Sequence, residues 1–243
     1  MIIDTHCHLD LYKNPLEVAK RNEHEGIITI GMTNLPSHFE MGHPHLLGYR
    51  KIRLALGMHP LFAEFHEKEF PLFIKNLHKT SYIGEVGLDF SREGVPTKDI
   101  QLRTFSKILN EIKGKKKVLS IHSRKAEKEI LNLLITNDIT LAIFHWYSGS
   151  GSLIGSMINT GYYFSVNPAM IMSKSGQEII RKIPFDKILT ESDGPFIKVD
   201  NRTVTSLDIP LVIQYLSKLW GYSYERAEEQ IRINFNFLLS KLT

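Results

Sequence analysis

The chain has 243 residues, enough for one large core or two small ones, and its 42% hydrophobic and 23% charged content is ordinary for a globular fold. No apolar run approaches the roughly 18 residues of a membrane span, and the N-terminus lacks the basic start and long apolar stretch of an export signal, so a cytoplasmic protein is expected. The single cysteine, Cys7, excludes an intrachain disulfide, and a net charge of +4 with a pI of about 9.0 suits an anionic partner such as nucleic acid without requiring one.

The first three residues read as a buried strand leading into Asp4-Thr5-His6-Cys7-His8. Side chains alternate along a strand, so His6 and His8 share a face and can hold one metal ion. Cys7 points the other way and reads as a small apolar filler. A helix is expected over 14–25, ended by Gly26, and the second strand over 27–31. The histidine-rich stretch 36–49 reads as irregular, with His38, His43 and His45 on the surface. The third strand, 52–56, is closed by Gly57-Met58-His59-Pro60. A helix over 67–79 leads to the fourth strand, 82–86. Leu102, Phe105, Ile108, Leu109 and Ile112 recur at helical spacing within 100–112. Strands at 118–121, 141–144, 162–165 and 188–190 then alternate with helices at 126–135, 152–159 and 177–183. Two helices, 207–219 and 224–239, end the chain, the last with Ser223 as its N-cap.

About eight strand-then-helix units of this total length predict a closed parallel (β/α)8 TIM barrel, one domain over 1–243 with an extra C-terminal helix. No glycine-rich fingerprint follows any strand, which weighs against an open doubly wound sheet.

In such a barrel the site lies where the strands end. The first strand supplies His6 and His8, the third His59, the fourth Glu85 and then Asp89. The fifth supplies His122 and Arg124, the sixth His145, the eighth Glu191 and Asp193. Folding then carries His6, His8, Glu85, His122, His145 and Asp193 to one rim. Those donors suffice for two divalent ions that share a carboxylate, clamp a phosphoryl group and supply a hydroxide near neutral pH.

The residues that carry this reading also carry a resemblance. Asp4-Thr5-His6-Cys7-His8-Leu9, Gly57-Met58-His59-Pro60, Gly84-Glu85-Val86-Gly87-Leu88-Asp89, Ile121-His122-Ser123-Arg124, Phe144-His145 with Ser148-Gly149-Ser150, Gly161-Tyr162-Tyr163-Phe164-Ser165 and Thr190-Glu191-Ser192-Asp193-Gly194-Pro195 resemble the motifs of the TatD family, in the family's order. These are metal-dependent DNases of the amidohydrolase-like barrel class. The resemblance implies that His6 and His8 hold one metal, that Glu85 bridges, and that His122 and His145 hold the second. Asp193 would bind a metal and take the proton of the attacking water. His59 and Arg124 would contact phosphate. Asp89 and Glu191 would support the ligands or the fold.

Two stretches depart from the usual pattern. Trp146-Tyr147 stands where many relatives carry Cys-Phe, and Gly194 with Asp200-Asn201-Arg202 replaces a longer loop. The Trp146-Tyr147 and Asp193-Gly194-Pro195-Phe196 variants are similar to a branch encoded with Qat anti-phage defence systems, which implies protein partners in a defence complex.

Lys113-Gly114-Lys115-Lys116-Lys117 is the densest positive run, but it precedes a strand and so belongs at the end of the barrel away from the metals. Better candidates for a nucleic-acid groove follow strands: Arg92, Arg124, Lys125, Lys198 and Arg202 for phosphates, with Phe62, Trp146, Tyr147 and Phe196 for base stacking. The expectation is a two-metal deoxyribonuclease acting on single strands or strand ends, with magnesium, manganese or zinc as the ion. The alternatives are a small-molecule amidohydrolase or lactonase on the same metals, and a partner-bound scaffold. Glu85 stands where many amidohydrolases carry a bridging lysine, which weighs against the first of these.

Overall fold

The computed structural model describes residues 1–242. Runs of β-branched and apolar residues become staves of a barrel, because both faces of such strands are covered and these side chains fill a pleated interior. The first stave is β1 (Ile3–Cys7), followed by α1 (Pro15–His24). β2 (Ile28–Gly31) leads to α2 (Pro36–Leu46). β3 (Ile52–Leu54) and β4 (Leu56–Met58) are halves of one stave and precede α3 (His66–Asn76). β5 (Tyr82–Gly87) with α4 (Lys98–Ile112), β6 (Val118–His122) with α5 (Glu127–Thr136) and β7 (Ala142–His145) with α6 (Gly151–Asn159) continue the alternation. β8 (Tyr163–Val166) is followed by α7 (Pro168–Met172), α8 (Lys174–Ile180) and β9 (Ile188–Thr190). A hairpin of β10 (Lys198–Val199) and β11 (Arg202–Thr203) precedes α9 (Ile209–Trp220) and α10 (Tyr224–Ser240).

All stave pairings are parallel and follow chain order. The split stave changes partners midway. Its first half pairs with β2 (Thr29 opposite Ile52) and its second with β5 (Leu56 opposite Ile83). The seam between β9 and β1 is closed partly by side chains. Thr5 Oγ1 donates to Thr190 O at 3.0 Å, and Thr190 Oγ1 donates to Ile3 O. Just above, Asp193 N–H donates to His6 O at 3.0 Å and His8 N–H to Gly194 O at 2.8 Å. The result is the expected (β/α)8 barrel. α10 is the additional helix: its buried Phe235 lines the same small barrel void as Met32, Ser120 and Ile143, and Asn234 Nδ2 donates to Phe185 O and Ile188 O at 2.7 and 2.8 Å. Two close approaches require glycine. A Cβ on Gly57 would sit 1.5 Å from Thr33 O, and one on Gly87 (φ +142°) 2.0 Å from His122 O.

Three expectations are corrected. The stretch 36–49 is mostly helical, not irregular: Pro36 sits in the first turn, where a missing N–H costs nothing, and the fully buried Phe39 anchors the helix despite Pro44. Helices α7 and α8 fill most of the gap after β8, where only 177–183 reads as helical, because Asn167 and Ser173 cap them by accepting from Met170 N–H and Gly176 N–H. The β10–β11 hairpin is also unforeseen. Its turn residues Asp200 and Asn201 adopt φ +50° and +61°, the left-handed geometry of a tight hairpin turn.

The lysine-rich turn lies between α4 and β6, at the barrel end away from the strand C-termini. There Lys117 Nζ donates to Leu77 O at 2.8 Å and to Thr80 O, and Lys113 pairs with Asp138 at 3.1 Å. Among the described residues, no helix is long and apolar enough to cross a membrane.

Candidate metal centre

The C-terminal ends of the staves bring together all six residues expected there, with His59 beside them. Glu85, at 2% exposure the hub of the cluster, ends between two sets of imidazoles. Its Oε2 lies 3.1 Å from His8 Nε2 and 3.5 Å from His6 Nε2. Its Oε1 lies 2.6 Å from His122 Nδ1, 2.8 Å from His145 Nε2 and 3.3 Å from His59 Nε2. Asp193 Oδ1 stands 3.6 Å from His6 Nε2 and 3.9 Å from His8 Nε2. The His6 and His145 rings stack at 3.9 Å.

Neighbouring groups decide which nitrogen His6 and His122 turn inward. Ser120 Oγ engages His6 Nδ1 at 2.7 Å, which leaves Nε2 for the chamber. Asp89 Oδ2 engages His122 Nε2 at 2.8 Å, which leaves Nδ1. Asp89 is itself fixed by Ser91 N–H, donating to Oδ1 at 2.7 Å. His59 differs, because its Nδ1 accepts from Leu61 N–H at 3.1 Å. In the neutral ring the proton is then on Nε2, which makes that atom a donor rather than a metal ligand.

Behind this layer lie two buried carboxylates. Glu191 accepts from Trp146 N–H at 3.0 Å, from Asn167 Nδ2 at 2.8 Å and from Ser165 Oγ, and it lies 3.8 Å from His145 Nδ1. Asp4 accepts from Ser192 N–H at 2.9 Å, and from Ser192 Oγ and Ser206 Oγ at 2.6 Å each. It thereby fixes the turn that carries Asp193 (φ +46°), a left-handed conformation unusual for a non-glycine residue. Sequence reading singles out neither Ser120 nor Asp4 as a support. Alternation along β6 was a usable signal for Ser120, which lies two residues before His122.

The electrostatics follow from burial and proximity. Burial alone would raise the Glu85 carboxyl, but His59, His145 and His122 hold it well below the glutamate range. Burial pushes Asp193 up to about 7 against the pull of His145. Burial and the nearby His145 keep His6 well below the usual histidine range. Burial likewise lowers His59, against the pull of Glu85. Burial opposes charge on His145, yet Glu85 and Glu191 raise it well above that range.

These donors fit divalent metal. Inward nitrogens and carboxylate oxygens lie within 4.8 Å of one another in the triads His6–His8–Asp193 and His6–Glu85–His145; His59 also lies that close to Glu85 and His122, but as a proton donor. A mixed set of imidazoles and carboxylates suits ions such as zinc or manganese, whose binding would displace the protons held on His145 and Asp193.

The rim residues divide. Phe196, 59% exposed, meets His8 edge-on at 4.9 Å, and Phe62 stands 6.0 Å from His59. Trp146 is at the mouth, 36% exposed, with φ +36°. Arg124 is exposed on the loop after β6. Two other candidates are not free to meet substrate. Tyr147 is buried, with its hydroxyl donating to Ser150 O at 2.8 Å. Arg202 makes a two-pronged pair with Asp208. His38, His43 and His45 ride on α2 outside the cluster, His38 facing Asp10 at 3.6 Å and His43 stacked on Phe39 at 4.8 Å.

Fold and site together define a metal-dependent hydrolase of the (β/α)8 class. The chain belongs to the TatD-related DNase family, whose model matches residues 3–240. It is 24% identical over 261 residues to human deoxyribonuclease TATDN3, covering 99% of this chain and 95% of that protein. It is 28% identical over 212 residues to the uncharacterised metal-dependent hydrolase YabD of Bacillus subtilis, covering 81% of each. Among solved structures it superposes on YJJV, a TatD homolog from Escherichia coli, with a TM-score of 0.86 at 20% identity over 99% of this chain and 97% of that one. A dihydroorotase from Campylobacter jejuni shares the fold more distantly, with a TM-score of 0.59 at 13% identity, over 98% of this chain and 83% of that one.

Proposed function

We propose that the protein is a cytoplasmic deoxyribonuclease that hydrolyses phosphodiester bonds in single strands or strand ends, using two divalent ions. The observation that carries this reading is the division of Glu85: one oxygen faces His6 and His8, the other His122 and His145. Glu85 Oε2 with His6, His8 and Asp193 would hold one ion, and Glu85 Oε1 with His122 and His145 the other. When bound, such ions polarise a phosphoryl oxygen and bring the pKa of water toward neutrality.

The chain's own residues do the rest. Asp193 accepts the proton of the attacking water. Its backbone tie to His6 O and the Asp4–Ser192 bonds hold the carboxyl in place. His59 donates from Nε2 to a phosphoryl oxygen, and Arg124 grips a phosphate at the rim. Phe196, Phe62 and Trp146 offer ring faces to bases. The donors lie inside the barrel end, so a flexible strand can deliver a phosphate to them more readily than an intact duplex.

Within the family we place the chain in the Qat-associated branch, with protein partners in anti-phage defence. The Trp146-Tyr147 and Asp193-Gly194-Pro195-Phe196 variants support that reading. The test of the activity is a metal series on end-labelled single- and double-stranded DNA, with Glu85→Ala as the blank. Metal-dependent cleavage that prefers single strands is expected. Equal turnover by Glu85→Ala, or none with any metal, would overturn the reading.

A further inference from the structure

Two loops at the mouth carry exposed cations that stand outside any ion pair. The loop after β5 brings Arg92, and the loop after β6 brings Arg124 and Lys125, all exposed. The two loops form one platform: Leu88 N–H donates to His122 O at 3.0 Å and Phe90 N–H to Arg124 O at 2.9 Å. Lys98 joins it, with Nζ 4.5 Å over the Phe90 ring. Among the described residues, none of these four cations makes an ion pair. Of the acids on these segments, Glu93 and Asp99 are exposed beside Arg92 and Lys98 without pairing to them, and Glu127 spends an oxygen on the Lys125 N–H at 3.2 Å.

The opposite side of the mouth is different. Arg202 is paired to Asp208, Asp200 is exposed at the hairpin turn, and Phe196 presents a bare ring beside His8. One side of the chamber thus gathers four cations outside any ion pair, and the other offers an aromatic face with the exposed Lys198 behind it on β10.

We propose that the β5–β6 platform, through Arg92, Lys125 and Lys98 beyond Arg124, binds the sugar-phosphate backbone of a single strand flanking the bond to be cut. The strand lies with its phosphates on that side and a base turned toward Phe196. This rests on the nuclease reading and adds to it a direction of approach and a preference for longer strands. Its first cations stand two residues beyond His122 (Arg124) and three beyond Asp89 (Arg92), so the platform continues directly from the metal centre.

The experiment measures binding of labelled oligothymidylates of about 4 and 12 nucleotides by anisotropy, with chelator present, across a salt series. The variant is Arg92→Ser with Lys125→Asn; asparagine tolerates the positive φ of Lys125 (+57°). The control, Lys113→Ser with Lys115→Ser, removes the same charge from the opposite barrel end. Each lost phosphate contact lowers the single-strand salt slope by about 0.7, so the platform variant should lose about 1.4 from its slope. It should also lose roughly tenfold in affinity for the longer strand, with less change for the shorter; the control should keep the wild-type slope. An unchanged slope in the platform variant, or an equal fall in both variants, would overturn the proposal. Cleavage assayed separately tells the two readings apart. Platform binding without cleavage in any metal counts against the nuclease alone, and cleavage with an unchanged slope counts against the platform alone.

Discussion

Asp89 Oδ2 holds the outer nitrogen of His122 at 2.8 Å, so that the inner nitrogen, Nδ1, is presented to Glu85 at 2.6 Å. Burial opposes the Asp89 charge, but His122 and Ser91 bring its carboxyl down to about 2, so it stays ionised at any working pH. Carboxylates that fix a ligating imidazole in this way typically contribute roughly 10- to 100-fold in metal affinity. Asp89→Ala should therefore weaken manganese or zinc binding by about that factor, measured by titration calorimetry on chelated protein. Affinity within about twofold of wild type would show that His122 needs no partner.

Asp193→Asn keeps the size of the side chain but cannot take a proton. We expect it to bind single-stranded DNA within a few fold of wild type and to lose roughly 100- to 10,000-fold in turnover, the usual range for a general base. Single-turnover cleavage with metal in excess measures this. Retained turnover in a metal-loaded sample would reassign the proton acceptor.

The site was legible in the sequence because its donors sit at strand ends, where chain order and strand alternation both constrain them. His6, His8, Glu85, His122, His145 and Asp193 are read correctly as neighbours for that reason. What surrounds them was less legible. Arg202 looks like a free phosphate ligand until the capping turn of α9 brings Asp208 to it, and Tyr147 looks like a stacking platform until its ring is found packed on Phe164 at 5.5 Å. Asp4 is bonded to Ser192 and Ser206, nearly the whole chain away, and no local pattern encodes such a contact. Helix α2 is not legible in the sequence because Pro44, Gly42 and three histidines argue against a helix locally, while the burial of Phe39 that decides it is tertiary.

Phe196 stands at the mouth with its ring edge-on to His8 and most of its surface free. Stacking of one base on such a ring contributes about 1–3 kcal/mol. Phe196→Ala should raise KM for a single-stranded oligonucleotide by roughly 5- to 150-fold and change kcat little. Phe196→Tyr should restore most of the loss. A fall in kcat with KM unchanged would mean that the ring serves His8 rather than the substrate.

His66 offers a test of the fold beneath the site. Its Nε2 donates to His59 O at 3.0 Å, which holds the turn after β4, and the residue is buried. Burial brings its pKa down to about 4, against the pull of the His59 carbonyl. The folded protein therefore keeps His66 neutral between about pH 4 and 6.5, while the unfolded chain takes up a proton there. More protons on the unfolded side means that stability rises with pH across this window, is complete above pH 6.5, and is lost as the pH falls toward 4. A difference of that size corresponds to about 3 kcal/mol. His66→Gln retains a donor for His59 O but has no proton to gain. Urea midpoints for the two proteins should move together above pH 6.5 and diverge below it, with wild type losing about 3 kcal/mol more than the variant by pH 4. All other titrating groups are common to both proteins, so a constant offset over the whole range would show that protonated His66 is accommodated in the fold without cost.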